Sequence, residues 1–213
     1  MKILSLDSST GVTSVAFLIC GNGGYETGYR CDTPHARSDS SSLFQSLQAA
    51  VTACGKPDAI CVGLGPGSYN GVRAGIAVAR AFATAGELPL HAYPSPLAMR
   101  AFDSMTGHDT GFWAAGDARG GHYWVAAIEN GEFLEKPFLL SPVEAVGHFH
   151  SKPRFPILSS TPLGGITDLT IAFPDAGRLA MMAEKGDPCG QTETPEPLYL
   201  KPPHITMPRA SLK

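Results

Sequence analysis

The sequence predicts an α/β protein in which helices pack on a mixed sheet, organised as two related lobes. Three observations carry this expectation. The chain opens with apolar runs separated by polar turns, a strand then leads through a glycine-rich loop into a helix, and a second hairpin pattern begins near Gly111. Of the 213 residues 43% are hydrophobic, enough to build a core. No apolar run reaches the ~18 residues a membrane helix needs. Asp7 falls inside what would have to be the apolar part of an export signal, so the cytoplasm is the expected compartment.

The first lobe is expected over residues 1–105. Residues 3–6 and 12–19 read as strands flanking the turn Asp7-Ser8-Ser9-Thr10-Gly11, and 25–30 extends the ladder as a third strand after a glycine turn. Residues 38–54 place Leu43, Phe44, Leu47, Ala50, Val51 and Cys54 on one helical face, and Gly55 with Pro57 ends that helix. A buried strand at 58–63 runs into a loop carrying Gly63, Gly65, Gly67 and Gly71. A helix over 72–85 follows, closed by Gly86, and then a strand at 88–93. Ser95 as cap and Pro96 as first helical residue predict a third helix over 97–105.

The second lobe, 106–213, begins with strands at 112–116 and 122–129 hinged at Asp117-Ala118-Arg119-Gly120-Gly121. Residues 137–170 are rich in Pro, Ser and Gly, although Ser141-Pro142 caps a brief helix through Phe149. A helix is expected over 175–185. The proline-rich tail that follows is expected to be extended or partly disordered, with Leu198-Tyr199-Leu200 anchored by packing. No sequence repeat links the halves.

Charge and cysteine usage narrow the function classes. Sixteen Lys and Arg against nineteen Asp and Glu give −3, which lacks the basic excess of an autonomous nucleic-acid binder. Charged residues are only 16% of the chain, below the roughly 25% of typical domains, which favours a surface covered by a partner. Cys20, Cys31, Cys54, Cys61 and Cys189 form no Cys-x-x-Cys spacing, so they read as reduced thiols rather than zinc ligands or a disulfide framework. His148 and His150 lack a nearby third ligand, and no metal is expected.

Two loops have the residue types of a phosphate site. Exposed amides of a glycine loop at a helix start suit an anion. Here Gly65, Gly67 and Ser68 precede the helix, but no Lys-Ser or Lys-Thr follows, and a purely conformational turn is the competing reading. Asp7 beside Ser8 and Ser9 suits a hydrated cation or a phosphate, and equally an aspartate-initiated turn. The helix after the loop carries Gly71, Ala74, Gly75, Ala77, Ala79, Ala81, Ala83 and Ala85, so another backbone can approach it closely. Glycine inside a helix costs about 1 kcal/mol relative to alanine, which close contact at Gly75 would offset. Arg73 and Arg80, seven apart, share a stripe that suits acids or a nucleic-acid backbone, or else snorkels from an internal helix. No Gly-x-Ser-x-Gly elbow or supported Ser-His-Asp set is present.

The opening Ile3-Leu4-Ser5-Leu6-Asp7-Ser8-Ser9-Thr10, the block from Gly65 to Gly75, Asp117-Ala118-Arg119 before a strand, and the closing Leu198-Tyr199-Leu200-Lys201 together resemble the TsaB (YeaZ) family. The resemblance implies an actin-like ATPase (ribonuclease H-like) fold of two lobes. It also implies a role in making threonylcarbamoyladenosine at position 37 of tRNAs that read codons beginning with A. In that pathway the larger relative TsaD transfers the group, TsaE joins as an ATPase, and TsaB is a non-catalytic partner. Related glycoprotease-like chains hold a metal with a His-x-x-x-His pair. Here His35 is followed four residues on by Asp39, so that pair is missing.

Under the resemblance no cofactor is expected, and Asp7, Ser8, Ser9, Gly65, Gly67 and Ser68 are remnants of a nucleotide site. The first two helices would bundle with those of TsaD, or with a second copy, through Leu43, Leu47, Val51, Val72, Arg73, Gly75, Ile76, Ala79 and Arg80. Homodimer and heterodimer would then exclude each other, and Gly75→Leu would weaken assembly while sparing the fold. tRNA would be met through the complex. The alternative is an independent nucleotide-using phosphotransferase of the sugar-kinase class, which needs a competent phosphate site at Asp7 and Gly67. A metallopeptidase is disfavoured by the missing histidine.

Overall fold

The computed structural model describes residues 1–21, 24–34, 41–99, 111–151, 155–186 and 194–201. The opening meander forms as expected. Strand β1 (Lys2–Asp7) pairs antiparallel with β2 (Val12–Gly21), with Lys2 opposite Ile19 and Asp7 opposite Ser14. β2 in turn pairs antiparallel with the long edge strand β3 (Gly24–Pro34). Helix α1 (Ser41–Cys54) then carries the chain across the sheet, so β4 (Ala59–Gly63) runs parallel to β1. Helix α2 (Tyr69–Gly86) does the same for β5 (Leu90–Tyr93), which gives the order β3-β2-β1-β4-β5.

A second five-stranded sheet repeats this plan. β6 (Phe112–Asp117), β7 (Tyr123–Glu129) and β8 (Glu132–Leu140) form an antiparallel meander. Helix α3 (Pro142–Phe149) follows, and then β9 (Ile157–Ser159) parallel to β6 and β10 (Leu169–Ile171) parallel to β9. The order β10-β9-β6-β7-β8 is that of the first sheet read from its other end, with the first strand of each meander in the centre. A duplicated topology therefore stands behind a chain with no visible sequence repeat.

Strand periodicity sorts the core. In β1, Leu4 and Leu6 point to the side covered by α1 and α2, where Phe17, Ile60, Leu47 and Ile76 join them. Ile3 points to the other side, where it meets Ala16, Ala59 and Cys61. That second face is covered by α4 (Ala176–Lys185), although α4 follows the second sheet in the chain. Ser5 Oγ donates to the Ala176 carbonyl at 2.6 Å, and the Ala176 N–H donates to Ser14 Oγ at 3.0 Å, so buried hydroxyls weld the helix start to the sheet. One face of the second sheet packs Trp113 on Phe149 of α3. Its other face gathers Phe112, Trp124 and Ile128 with Leu97 and Met99 from the first half of the chain.

Four expectations need correction. Residues 97–105 do not begin a helix: a 3₁₀ turn spans Ser95–Ala98, Met99 is extended, and 100–110 lie outside the described residues. Ser95 caps nothing there, because its hydroxyl is engaged elsewhere. α2 closes not at Gly86 but at Glu87, whose φ of 53° is left-handed and whose N–H returns to Ala83 and Thr84. Strand β8 is not among the expected elements; it lies at the sheet edge, where the missing N–H of Pro137 is tolerated. The brief helix after Ser141 forms with a full capping box to Glu144.

Candidate functional site

β1 ends at Asp7, which is 1% exposed. Its Oδ1 accepts from the Ser9 N–H at 2.9 Å and from Ser9 Oγ at 2.7 Å, and its Oδ2 accepts from Ser95 Oγ at 2.5 Å. Burial pushes the Asp7 carboxyl above its ordinary range, and the bonds from Ser95 and Ser9 oppose that rise. Ser95 also accepts the Gly65 N–H at 2.8 Å, and the Gly65 carbonyl accepts the Ser95 N–H at 2.9 Å. Ser95 therefore ties the aspartate turn to the glycine loop. Sequence reading missed it, because its partner lies 88 residues away and no local pattern records that contact.

The two candidate loops are closed against each other. The Ser68 N–H donates to the Ser9 carbonyl at 2.6 Å, and Ser8 Oγ donates to the Gly71 carbonyl at 2.8 Å. A Cβ at Gly67 would stand 2.0 Å from the Ser9 carbonyl oxygen, and one at Gly71 would stand 2.1 Å from that of Ser8. At Gly63 a Cβ would stand 1.8 Å from Asp7 Oδ2. Glycine is thus demanded here by the approach of the neighbouring turn, whether or not an anion ever binds. Ser68 caps α2, its hydroxyl accepting the Gly71 N–H at 3.3 Å. Asp7, Ser8, Ser9, Gly65, Gly67 and Ser68 come together as one cluster, and the Asp7 carboxylate is committed to internal partners.

The second-sheet turn is built alike but stays open. Asp117 Oδ1 accepts the Arg119 N–H at 2.7 Å, the same two-residue step as Asp7 to Ser9. Asp117, Arg119, Gly120 and Gly121 are exposed. Arg73 does not snorkel: its guanidinium lies 4.4 Å from the centre of the Tyr69 ring, which stacks on Tyr199 at 5.4 Å.

Most residues of the expected partner face turn inward. Leu43, Leu47, Val72, Gly75, Ile76 and Ala79 are buried against the sheet of their own lobe. The spacing that picked them marks the inward stripe of each helix. Gly75 meets its own chain, since a Cβ there would stand 2.5 Å from Ser8 Oγ, so Gly75→Leu strikes the fold. Val51 is half-buried, and Arg73 and Arg80 are exposed. Outward lie Phe44, 55% exposed and paired with Phe82 at 6.5 Å, and the small residues Ala77, Ala81 and Ala85.

Among the described residues no three His, Cys, Asp or Glu side chains gather as metal ligands would; His35 and Asp39 lie outside those residues. His148 Nε2 pairs with Glu135 at 2.7 Å. No helix among the described residues is long and apolar enough to cross a membrane. A cavity of about 630 Å³ between α3 and β10, lined by Phe149, His150, Ile166 and Asp168, is remote in sequence from both loops.

Two sheets of matching order, each with an aspartate turn after its central strand, give the doubled α/β arrangement expected of an actin-like (ribonuclease H-like) fold. Comparison with known proteins points within that fold. A family model described as TsaD, tRNA N6-adenosine threonylcarbamoyltransferase, matches residues 31–132. The chain is 32% identical over 128 residues to the tRNA threonylcarbamoyladenosine biosynthesis protein TsaB of Escherichia coli (strain K12); the match spans 59% of this chain and 54% of that protein. In fold it is similar to YeaZ from Pseudomonas aeruginosa, with a TM-score of 0.65 and 23% identity over 93% of this chain and 99% of that one. It is also similar to a Pseudomonas aeruginosa protein described as having similarity to peptidase YEAZ, with a TM-score of 0.69 and 21% identity over 94% and 99% of the two chains. The sequence match to a TsaB thus covers little more than half of each protein, and the likeness to YeaZ is one of fold.

Proposed function

We propose that this chain is the non-catalytic scaffold subunit in the synthesis of N6-threonylcarbamoyladenosine at position 37 of tRNAs reading codons that begin with A. It activates TsaD, the subunit that carries the transferase chemistry, and TsaE joins the assembly. The likeness to a TsaB supports the pathway. The observation that supports a non-catalytic role is the commitment of Asp7: the one acid in the glycine-loop cluster is buried and holds Ser9 and Ser95 instead of facing a substrate. In this reading the loops are vestiges of a nucleotide site, and tRNA is met through the complex.

The outward faces of α1 and α2 serve as the docking surface for TsaD, and for a second copy when TsaD is absent. Phe44 and Phe82 supply apolar area, while Ala77, Ala81 and Ala85 let a partner helix approach closely. One face cannot hold both partners, so homodimer and heterodimer exclude each other. Size-exclusion chromatography with light scattering, on this chain alone and mixed with TsaD of the same organism, followed by a threonylcarbamoyl-transfer assay, tests the reading. The expected result is a one-to-one complex, active only with both chains present, whose yield falls about tenfold with Phe44→Glu. A chain that ignores TsaD, or that binds ATP tightly alone, overturns it in favour of an independent phosphotransferase.

A further inference from the structure

The segment 194–201 has no helix or strand, yet its last four residues touch both halves of the molecule. The Leu198 N–H donates to the Leu64 carbonyl at 2.9 Å, inside the glycine loop, and its side chain packs on the core of the first sheet. Tyr199 stacks on Tyr69 at 5.4 Å with the rings 28° from parallel, beside the Arg73 guanidinium 6.0 Å from its centre. Leu200 packs on the cluster that contains Phe112, Trp124 and Ile128 of the second sheet. The Lys201 ammonium donates to the Arg119 carbonyl at 2.9 Å, and a Cβ at Gly120 would lie 3.7 Å from it. Of four consecutive residues, the first two thus hold the glycine loop and helix start of one lobe, and the next two hold the sheet core and aspartate turn of the other.

We propose that residues 198–201 form a strap that latches the glycine loop of the first lobe to the open turn 117–121 of the second and so sets how freely the two lobes move against each other. The contacts are a single backbone hydrogen bond, one exposed aromatic stack, two half-buried leucines and one ammonium on a carbonyl. A segment held by so few bonds opens at far lower cost than the sheets it joins. Its release is a local event that leaves both cores intact, and it frees two turns far apart in sequence at the same moment. The strap depends on tertiary contacts of this chain alone and goes beyond the assembly role above.

Hydrogen exchange on the full chain tests the latch. In Tyr199→Ala/Lys201→Ala, amides at 63–72 and at 117–122 are expected to exchange about tenfold faster together, while α1 and the β7–β8 hairpin keep their protection. Faster exchange confined to 194–201, or to the turn of one lobe only, overturns the proposal. If the double variant exchanges faster throughout, Lys201→Ala alone decides, because it removes one surface contact and no core packing. Linked acceleration at 63–72 and 117–122 then supports the strap, and its absence overturns it.

Discussion

Asp7 and Asp117 stand at equivalent places, each ending the central strand of its sheet, and each makes the same local bond to the amide two residues on. Their surroundings differ completely. Asp7 is 1% exposed, with its second oxygen held by Ser95 and glycines pressed against its turn, whereas Asp117 is exposed and is followed by Arg119, Gly120 and Gly121, all at positive φ. The aspartate-initiated turn is a property of a few adjacent residues. Its burial is a property of what the rest of the chain brings to it. In the first lobe a whole loop and a serine arrive, and in the second the Lys201 ammonium of the C-terminal strap rests on the Arg119 carbonyl.

The largest effect that should separate the two turns is steric. Gly63→Ala places a Cβ 1.8 Å from Asp7 Oδ2 and 2.7 Å from Ser95 Oγ, and is expected to destabilise the protein by about 3 kcal/mol in urea unfolding. Gly121→Ala in the second turn, where a Cβ meets nothing within 4 Å, should cost only the left-handed backbone, about 1 kcal/mol. Equal losses for the two would mean that the first turn is not closed as described.

Removing each carboxylate sharpens the same contrast. Asp7→Ala strands the Ser95 and Ser9 donors in a buried site and should cost about 2 kcal/mol, while Asp117→Ala at the surface should cost about 0.5 kcal/mol. A midpoint for Asp7→Ala as mild as that for Asp117→Ala would contradict the buried network.

The smallest effect is a pH dependence confined to the first turn. A carboxyl raised in the folded state keeps its proton there after the unfolded chain has released it. Its stabilising contribution is therefore full below the ordinary value of 3.8 and is lost as pH rises through the folded value. Measured as the difference from Asp7→Asn, stability should fall as pH rises above about 4. A flat difference, or one that grows with pH, would show that the hydrogen bonds from Ser95 and Ser9 outweigh burial.

Much of the architecture was legible because it rests on short-range pattern. Alternation in β1 and β2, the 3.6-residue stripe of α1, and the Ser141 capping box are each written within a dozen residues. The same stripe misled the search for a partner face, since hydrophobic spacing marks where a helix meets its own sheet before it marks any other surface. Strand β8 carries Pro137, which forbids a central strand but not an edge one, and edge position is decided only when strands assemble.

The sequence by itself determined the first meander, the β6–β7 hairpin, helices after each, and polar turns at Asp7 and Asp117, because turn chemistry and periodicity act between near neighbours. Only the tertiary structure decided that Ser95 leaves a helix cap to hold Asp7, that Gly75 faces Ser8 rather than a partner, and that Leu200 reaches the second sheet. Each of these joins residues far apart in the chain. Such contacts arise from the packing of whole elements, where burial and steric approach outweigh the local preferences that a sequence displays.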